Sequence, residues 1–215
     1  MSFPAYHATV PVQSSPLQSV SRASSHGRRP PILERNLVKG RSNEVSLSAY
    51  AFLFCEMLSY ATKKSSGIQD MEKKLSDFGY RVGIRSLELL VFRDRPNRRD
   101  TRLLNTLSFI HTNVWKTLFG RAADSLEKGT DNEDEYMISD NEPNVTKFIA
   151  VPKDMNQLSC GAFIGGIVEA VLYGCGFPAK VSAHSTGSDQ FPLRTTILMK
   201  FDKSVLLREK GFEPR

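Results

Sequence analysis

"SCGAFIGGIVEAVLYGCGFPAKVSAH", residues 159 to 184, holds five glycines, two cysteines and a histidine. Three readings compete for it: a phosphate loop, a thiol or metal site, and close packing. A phosphate loop sets its glycines between a strand and a helix and follows them with a Lys-Ser/Thr pair or a later ribose-binding acid. "GAFIGG" is followed by neither. Phe163, Ile164, Ile167, Val168, Val171 and Leu172 run straight through it at helical period, which predicts one helix with Gly161, Gly165 and Gly166 inside it. Each interior glycine costs about 1 kcal/mol relative to alanine. Together with Ala162 and Ala170 they read as a small-residue face on which another backbone approaches closely. Gly174 and Gly176 stop the helix, and "FPAKVSAH" leaves it as a strand. Glu169 is the helix's only charge. It is either a buried functional carboxylate or a group that reaches the rim or is satisfied by a partner.

A metal site built from Cys160, Cys175 and His184 would need short paired spacings, and the gaps here are too long. The thiols read as small apolar core residues. Neither Cys55 nor Cys160 lies in a catalytic turn, and His7 and His26 fall near the N-terminus. The expectation is no enzyme, no metal and no cofactor.

Working outward, "EVSLSAYAFLFCEMLSYATKK" carries Leu47, Tyr50, Ala51, Phe54, Met57, Leu58 and Ala61 on one helical stripe. A second stripe of Phe52, Leu53 and Tyr60 implies burial from another side, by this domain or by a protein partner. "SGIQDMEKKLSDFG" has Ser66 and Gln69 at capping-box spacing and closes on Gly79 as a short helix. "RVGIRSLELLVFRD" follows as another, its Val82, Ile84, Leu87, Leu89, Leu90 and Phe92 covering more than one face. After a turn with Asp100 as N-cap, "LLNTLSFIHTNVWKTLFG" is a helix ending at Gly120. "YMISD", "VTKFIAVP", "KVSAH" and "RTTILMKF" read as strands, the last two as antiparallel neighbours, with a short helix after Asp202. Helices first and strands later predict an α+β domain.

Residues 1 to 43 hold eight serines, five prolines and six Lys or Arg against the single acid Glu34. They read as a disordered basic tail, leaving residues 44 to 215 as one domain. A transit peptide fits the composition, but scattered prolines forbid its amphipathic helix. The tail carries most of the formal charge of +6, so the domain is near neutral and nucleic acid is not an expected partner. Three cysteines without a framework suggest a reduced, intracellular protein. The longest apolar run, "AYAFLFC", is far shorter than a membrane span. Arg93, Arg95, Arg98, Arg99 and Arg102 form a basic cluster suited to phospholipid headgroups. Asp131, Glu133, Asp134, Glu135, Asp140 and Glu142 form an acidic rim suited to a basic partner. Each cluster also reads simply as a solvated loop.

In order, "EVSLSAYAFLFCEML", "FGYRVGIRSLELLVFRD", "RRDTRLLNTLSFIHTNVWKTLFG", "YMISDNEP", "FIAVPKDMNQLSC" and "GGIVEAVLYGCGFPAKVSAH" resemble the small α/β subunits of the transport protein particle (TRAPP) complexes, from about residue 33 onward. The resemblance implies a helical layer packed on one face of a twisted antiparallel sheet. It implies pairing with a paralogous subunit through the first helices, and for that interface Leu47, Tyr50, Phe52, Leu53, Phe54, Met57, Tyr60, Leu87 and Leu90 are the expected residues. It further implies a non-catalytic role in a vesicle-tethering particle that activates a Rab-type GTPase by nucleotide exchange in ER-to-Golgi and Golgi transport. Such a subunit is cytoplasmic and peripherally associated with Golgi and ER membranes. The alternative is a module that binds a hydrophobic small molecule or acyl chain. One family member carries an acyl group on a cysteine before its third main helix; the matching turn here, "RPNRRDTR", has no cysteine, so no acylation is expected there.

Overall fold

The computed structural model describes residues 45–93, 100–130, 132–152, 155 and 157–211. Chain contacts divide the molecule into Met1–Arg41 and Ser42–Arg215. All the described residues belong to the second unit, and the expected tail lies outside them.

The unit begins with α1 (Leu47–Lys64) and α2 (Ile68–Arg93). A shorter helical run follows: α3 (Leu103–Phe109), a π-helical turn at Ile110–Val114, and α4 (Trp115–Phe119). Then come β1 (Ser125–Lys128), β2 (Glu135–Asp140), α5 (Ala162–Cys175), β3 (Ala179–Ser185), β4 (Thr195–Phe201) and α6 (Lys203–Lys210). The strands form one antiparallel sheet in the order β1-β2-β4-β3. The register sets Ile138 opposite Ile197 and Ile197 opposite Ala183, with Tyr136, Met199 and Val181 forming the next row. Side chains alternate across a strand, so these rows share one face. Ile138, Ile197, Met199 and Phe201 are buried there, and α5 packs against β3 and β4. The opposite face is polar, with Glu135 paired across the strands to Lys200 at 3.1 Å.

The opening stretch is a helix, as its period predicts, and its glycines divide the work. Gly166 faces α2, where an added methyl group would overlap the Ser76 carbonyl oxygen. On the other helix, methyls at Gly79 and Gly83 would collide with backbone of Phe163 and Ile167. The contacts advance together along both helices, from Ser76 with Gly166 through Gly83 with Ala170 to Leu87 with Gly174, so α2 and α5 run in the same direction. Gly161 and Gly165 face the sheet instead, the former near Thr195 and Ala183, the latter beside Val181 and Ala183. Gly176 ends α5 in the left-handed conformation at φ 83°; Gly174 lies inside the helix under Leu87. At Gly79, Gly83 and Gly166 the cost of an interior glycine is therefore offset by close packing against backbone that a Cβ would prevent.

Several expectations are corrected. Gly79 does not end a helix: α2 is one helix of 26 residues, because Gly79 keeps ordinary helical dihedrals and is needed for contact with α5. Its entry is held by Asp70, whose carboxylate accepts the Ser66 N–H at 3.1 Å, and not by Gln69. "VTKFIAVP" is no strand; its first half is a turn in which Thr146 N–H donates to Pro143 O, and Val145 is spent filling the core. β1, only four residues long and without a clear alternation, was not expected.

The last correction concerns the start of α3. Its N-cap residue is Arg102, with no side-chain cap of its own, where Asp100 was expected. Glu209 of α6 reaches across instead, accepting the Leu103 N–H at 2.9 Å and the Arg102 Nε–H at 3.1 Å. A carboxylate at a helix N-terminus satisfies an orphan donor and meets the positive end of the dipole. Glu209→Ala should therefore lower stability by about 1 kcal/mol, the ordinary value of a lost N-cap, read as a lower urea midpoint with unchanged m-value.

Candidate interaction surface

Ser46 caps α1 by accepting the Ala49 N–H at 3.2 Å, and the helix then carries apolar residues on more than one stripe. The structure assigns them to different fates. Phe54, Leu58 and Ala61 enter the core, Phe54 meeting Phe163 of α5 edge-on at 5.4 Å between centroids. Tyr50 and Met57 are half-buried beside them, and Leu47 is exposed. The second stripe points outward: Phe52 is 75% exposed and Leu53 61%, with Tyr60 also exposed against Phe78.

On α2, Leu90 is buried and Leu87 is half-buried over Gly174. Phe54 and Leu90 thus belong to this chain's own core, which corrects their place in the expected partner interface. The exposed apolar residues of α2 are Val82, Ile84, Leu89, Val91 and Phe92. The signal for most of these was the spread of apolar positions over more than one face, but spacing alone does not say which face the core takes. Together α1 and α2 expose large apolar side chains of the sort that proteins keep for a partner.

The thiols and the histidine are far from forming a site. The length of α5 separates Cys160 from Cys175 by about 20 Å at 1.5 Å per residue, so they cannot share an ion. Burial pushes the Cys160 thiol up to about 11, which keeps it protonated and a poor nucleophile. Cys55 is exposed, and His184 is an exposed residue bonded to Ser182 Oγ at 2.9 Å. Burial also raises Tyr50 to about 12; its hydroxyl is enclosed with no hydrogen-bond partner, and its ring stacks on Phe54.

The two charge clusters also separate. Arg95, Arg98 and Arg99 lie outside the described residues, as does Asp131, while Arg102 is held by Glu209. Asp140 is not part of a solvated rim. It is buried, accepting the Trp115 indole N–H at 2.9 Å, the Glu142 N–H at 3.1 Å and a hydrogen bond from the Arg121 guanidinium.

Residues 50–202 match the family described as "Transport protein particle (TRAPP) component". The chain belongs to the TRAPP component family. It is 50% identical over 179 residues to trafficking protein particle complex subunit 5 of Dictyostelium discoideum, covering 82% of this chain and 95% of that one. The human subunit 5 is 40% identical over 184 residues, covering 86% and 94%. Subunit 31 of the Saccharomyces cerevisiae complex is 31% identical, covering 90% and 89%. Among solved structures, a trafficking protein particle complex subunit 3 from Naegleria fowleri, covalently bound to palmitic acid, superposes with a TM-score of 0.61 at 15% identity, covering 73% of this chain and 95% of that one. That similarity shows a shared fold, and the helices with an antiparallel sheet are the α+β architecture expected of it. No described helix is long and apolar enough to cross a membrane.

Proposed function

We propose that this TRAPP family chain is a non-catalytic scaffold subunit of a multisubunit vesicle-tethering particle, and that it pairs with a paralogous subunit through the outer side of α1 and the exposed part of α2. In this reading the assembled particle promotes nucleotide exchange on a Rab-type GTPase in ER-to-Golgi and Golgi transport, and the subunit reaches Golgi and ER membranes peripherally as part of it. Exchange chemistry is carried by other subunits, so no catalytic residue is assigned here.

The observation that carries the pairing is the adjacent exposure of Phe52 and Leu53 on a helix whose other side is already committed to the core. Burying two such side chains contributes about 3 kcal/mol or more. Charge placed there removes that gain and adds a desolvation cost. Phe52→Glu combined with Leu53→Glu should therefore weaken the subunit pair by about a hundredfold or more and leave the melting temperature of the isolated chain unchanged. Quantitative co-purification checks it, and full recovery of the paralogue with the double variant would sink the pairing.

The alternative reading, a module for an apolar small molecule or acyl chain, is less well supported. Two open grooves of about 690 and 660 Å³ place charged or polar side chains among their apolar ones, Glu72, Lys180, Ser182 and His184 in one, and Arg102, Lys128, Glu209 and Lys210 beside four leucines in the other, so neither is a uniformly apolar channel. Solvent extraction of the purified chain followed by mass spectrometry would reopen it by finding a stoichiometric lipid.

A further inference from the structure

The sheet has two edges of unequal length. β1 forms one with four residues, whereas β3 leaves seven along the other, paired only with β4. Flanking hydrogen bonds fix which main-chain groups of β3 face outward. Thr186 N–H donates to Arg194 O at 2.9 Å and Asp202 N–H to Pro178 O at 3.3 Å, one residue beyond either end of the β3–β4 register. Hydrogen-bonded pairs recur at every second residue of an antiparallel ladder. Lys180, Ser182 and His184 therefore bond to β4, and Ala179, Val181, Ala183 and Ser185 turn their N–H and C=O groups to the open side. Such a row is a template for an added strand.

A groove of about 690 Å³ lies along this edge, lined by residues 180–185 of β3, by Lys73 and Ser76 of α2 and by Ala162 and Gly165 of α5. α5 packs against both α2 and β3. Gly165 adjoins the edge, the position of its absent Cβ being 4.0 Å from the Ala183 nitrogen. The small residues leave room for the side chains of a further strand.

The outer face of the sheet supplies a charge pattern. Cross-strand neighbours there run Glu135, Lys200, Lys180. Lys200 is answered by Glu135 at 3.1 Å and Asp134 at 3.9 Å. Lys180 stands directly opposite Lys200, an unfavourable like-charge pair. Among the described residues neither Lys180 nor Lys73 forms an ion pair, and both are exposed. Glu72 also lines the groove, but its carboxylate accepts the Ser159 N–H at 2.7 Å. A carboxylate on the next strand out, beside Lys180, would continue the row with alternating sign.

We propose that the open edge of β3 binds an acidic, extended segment of a partner protein, which adds to the sheet as a fifth strand and sets carboxylates against Lys180 and Lys73. Main-chain hydrogen bonds to Val181 and Ala183 hold the segment, and the two lysines select its charge. The site uses neither Phe52 nor Leu53 and does not rest on the pairing proposed above.

The probe is a phage-displayed library of random linear dodecapeptides, panned on the immobilised full chain. The enriched sequences should be rich in Asp and Glu. A synthetic peptide of their consensus should slow amide exchange at Val181 and Ala183 by about tenfold or more, read by NMR on the full chain, with Ser182 and His184, already bonded to β4, little changed. Lys73→Glu combined with Lys180→Glu should weaken its binding by about tenfold or more without lowering the melting temperature. Phe52→Glu combined with Leu53→Glu should bind it as the parent does, so a failure of this site and a failure of the pairing are read separately. No enriched sequence, enrichment of basic or uncharged sequences, protection of α1 or α2 amides in place of β3, or unchanged binding to the lysine double variant would each overturn the proposal. So would Val181 and Ala183 amides already slow to exchange without peptide, which would mean that the chain itself or a second copy fills the edge.

Discussion

Gly166→Ala is expected to destabilise the chain by about 3 kcal/mol or more, at or beyond the upper end for an overpacked core, whereas Gly165→Ala, one residue earlier, should be neutral or stabilising by up to about 1 kcal/mol. Both changes raise helix propensity equally. They differ in what the methyl meets. At Gly166 it would overlap the Ser76 carbonyl oxygen, a backbone atom of α2 that can move only if the helices separate. At Gly165 its nearest neighbours are side-chain atoms of Val181 and Ala183 at 3.8 and 3.9 Å, ordinary van der Waals contact. Gly174→Ala falls between them, because the 2.5 Å approach is to the tip of Leu87, which can rotate. For a chain of this size the Gly166 variant should melt about 6 to 12 °C lower, if it folds at all. Calorimetry on the three single variants reads the order, and a Gly166→Ala protein as stable as Gly165→Ala would refute the close parallel packing of α2 on α5.

Asp140→Ala should cost about 3 to 5 kcal/mol, the ordinary penalty for removing one partner of a buried charge network. Asp140 joins three parts of the fold at once: Trp115 in α4, the Arg121 side chain just beyond it, and the Glu142 backbone. Without the carboxylate the Trp115 N–H is left enclosed and unpaired. Arg121 loses less, since it is partly solvated and keeps Asp124 at 3.0 Å. Asp140→Asn retains an acceptor for the indole but not the ion pair, and should lose about 1 to 2 kcal/mol, nearer the value of one charge-assisted hydrogen bond. Denaturant titration followed by Trp115 fluorescence reports both, since Trp115 is the chain's single tryptophan. Equal midpoints for Asp140→Ala and the parent would show that the network contributes nothing.

The candidate surface was partly legible in the spacing. A second apolar stripe on α1 was visible as Phe52, Leu53 and Tyr60, and these three are exposed. Phe54 and Leu90 had the same apolar character and were assigned to the same surface, yet they are buried. A helical wheel orders residues around an axis without saying which direction is the core; that is decided by where α5 lies. Asp140 sat among acids in the sequence, and only the approach of Trp115 and Arg121 separates it from its solvated neighbours.

By itself the sequence determined the local chemistry. Helical period through "GAFIGGIVEAVL" excluded a phosphate loop, the glycine after Cys175 terminates α5 in a left-handed turn, and β-branched and apolar content placed β2, β3 and β4. These follow from short-range sterics and hydrogen bonding, which act within a few residues. Tertiary structure decided what depends on distant backbone. It made Gly79 an interior helical residue instead of a stop, turned "VTKFIAVP" from a strand into a core-filling turn, and gave α3 its cap from Glu209. In each case the local preference is worth about 1 kcal/mol, and burial or a long-range hydrogen bond outweighs it. Glu169 belongs to both accounts: the sequence marked it as the lone charge in an apolar helix, and only the fold shows that nothing among the described residues of this chain neutralises it.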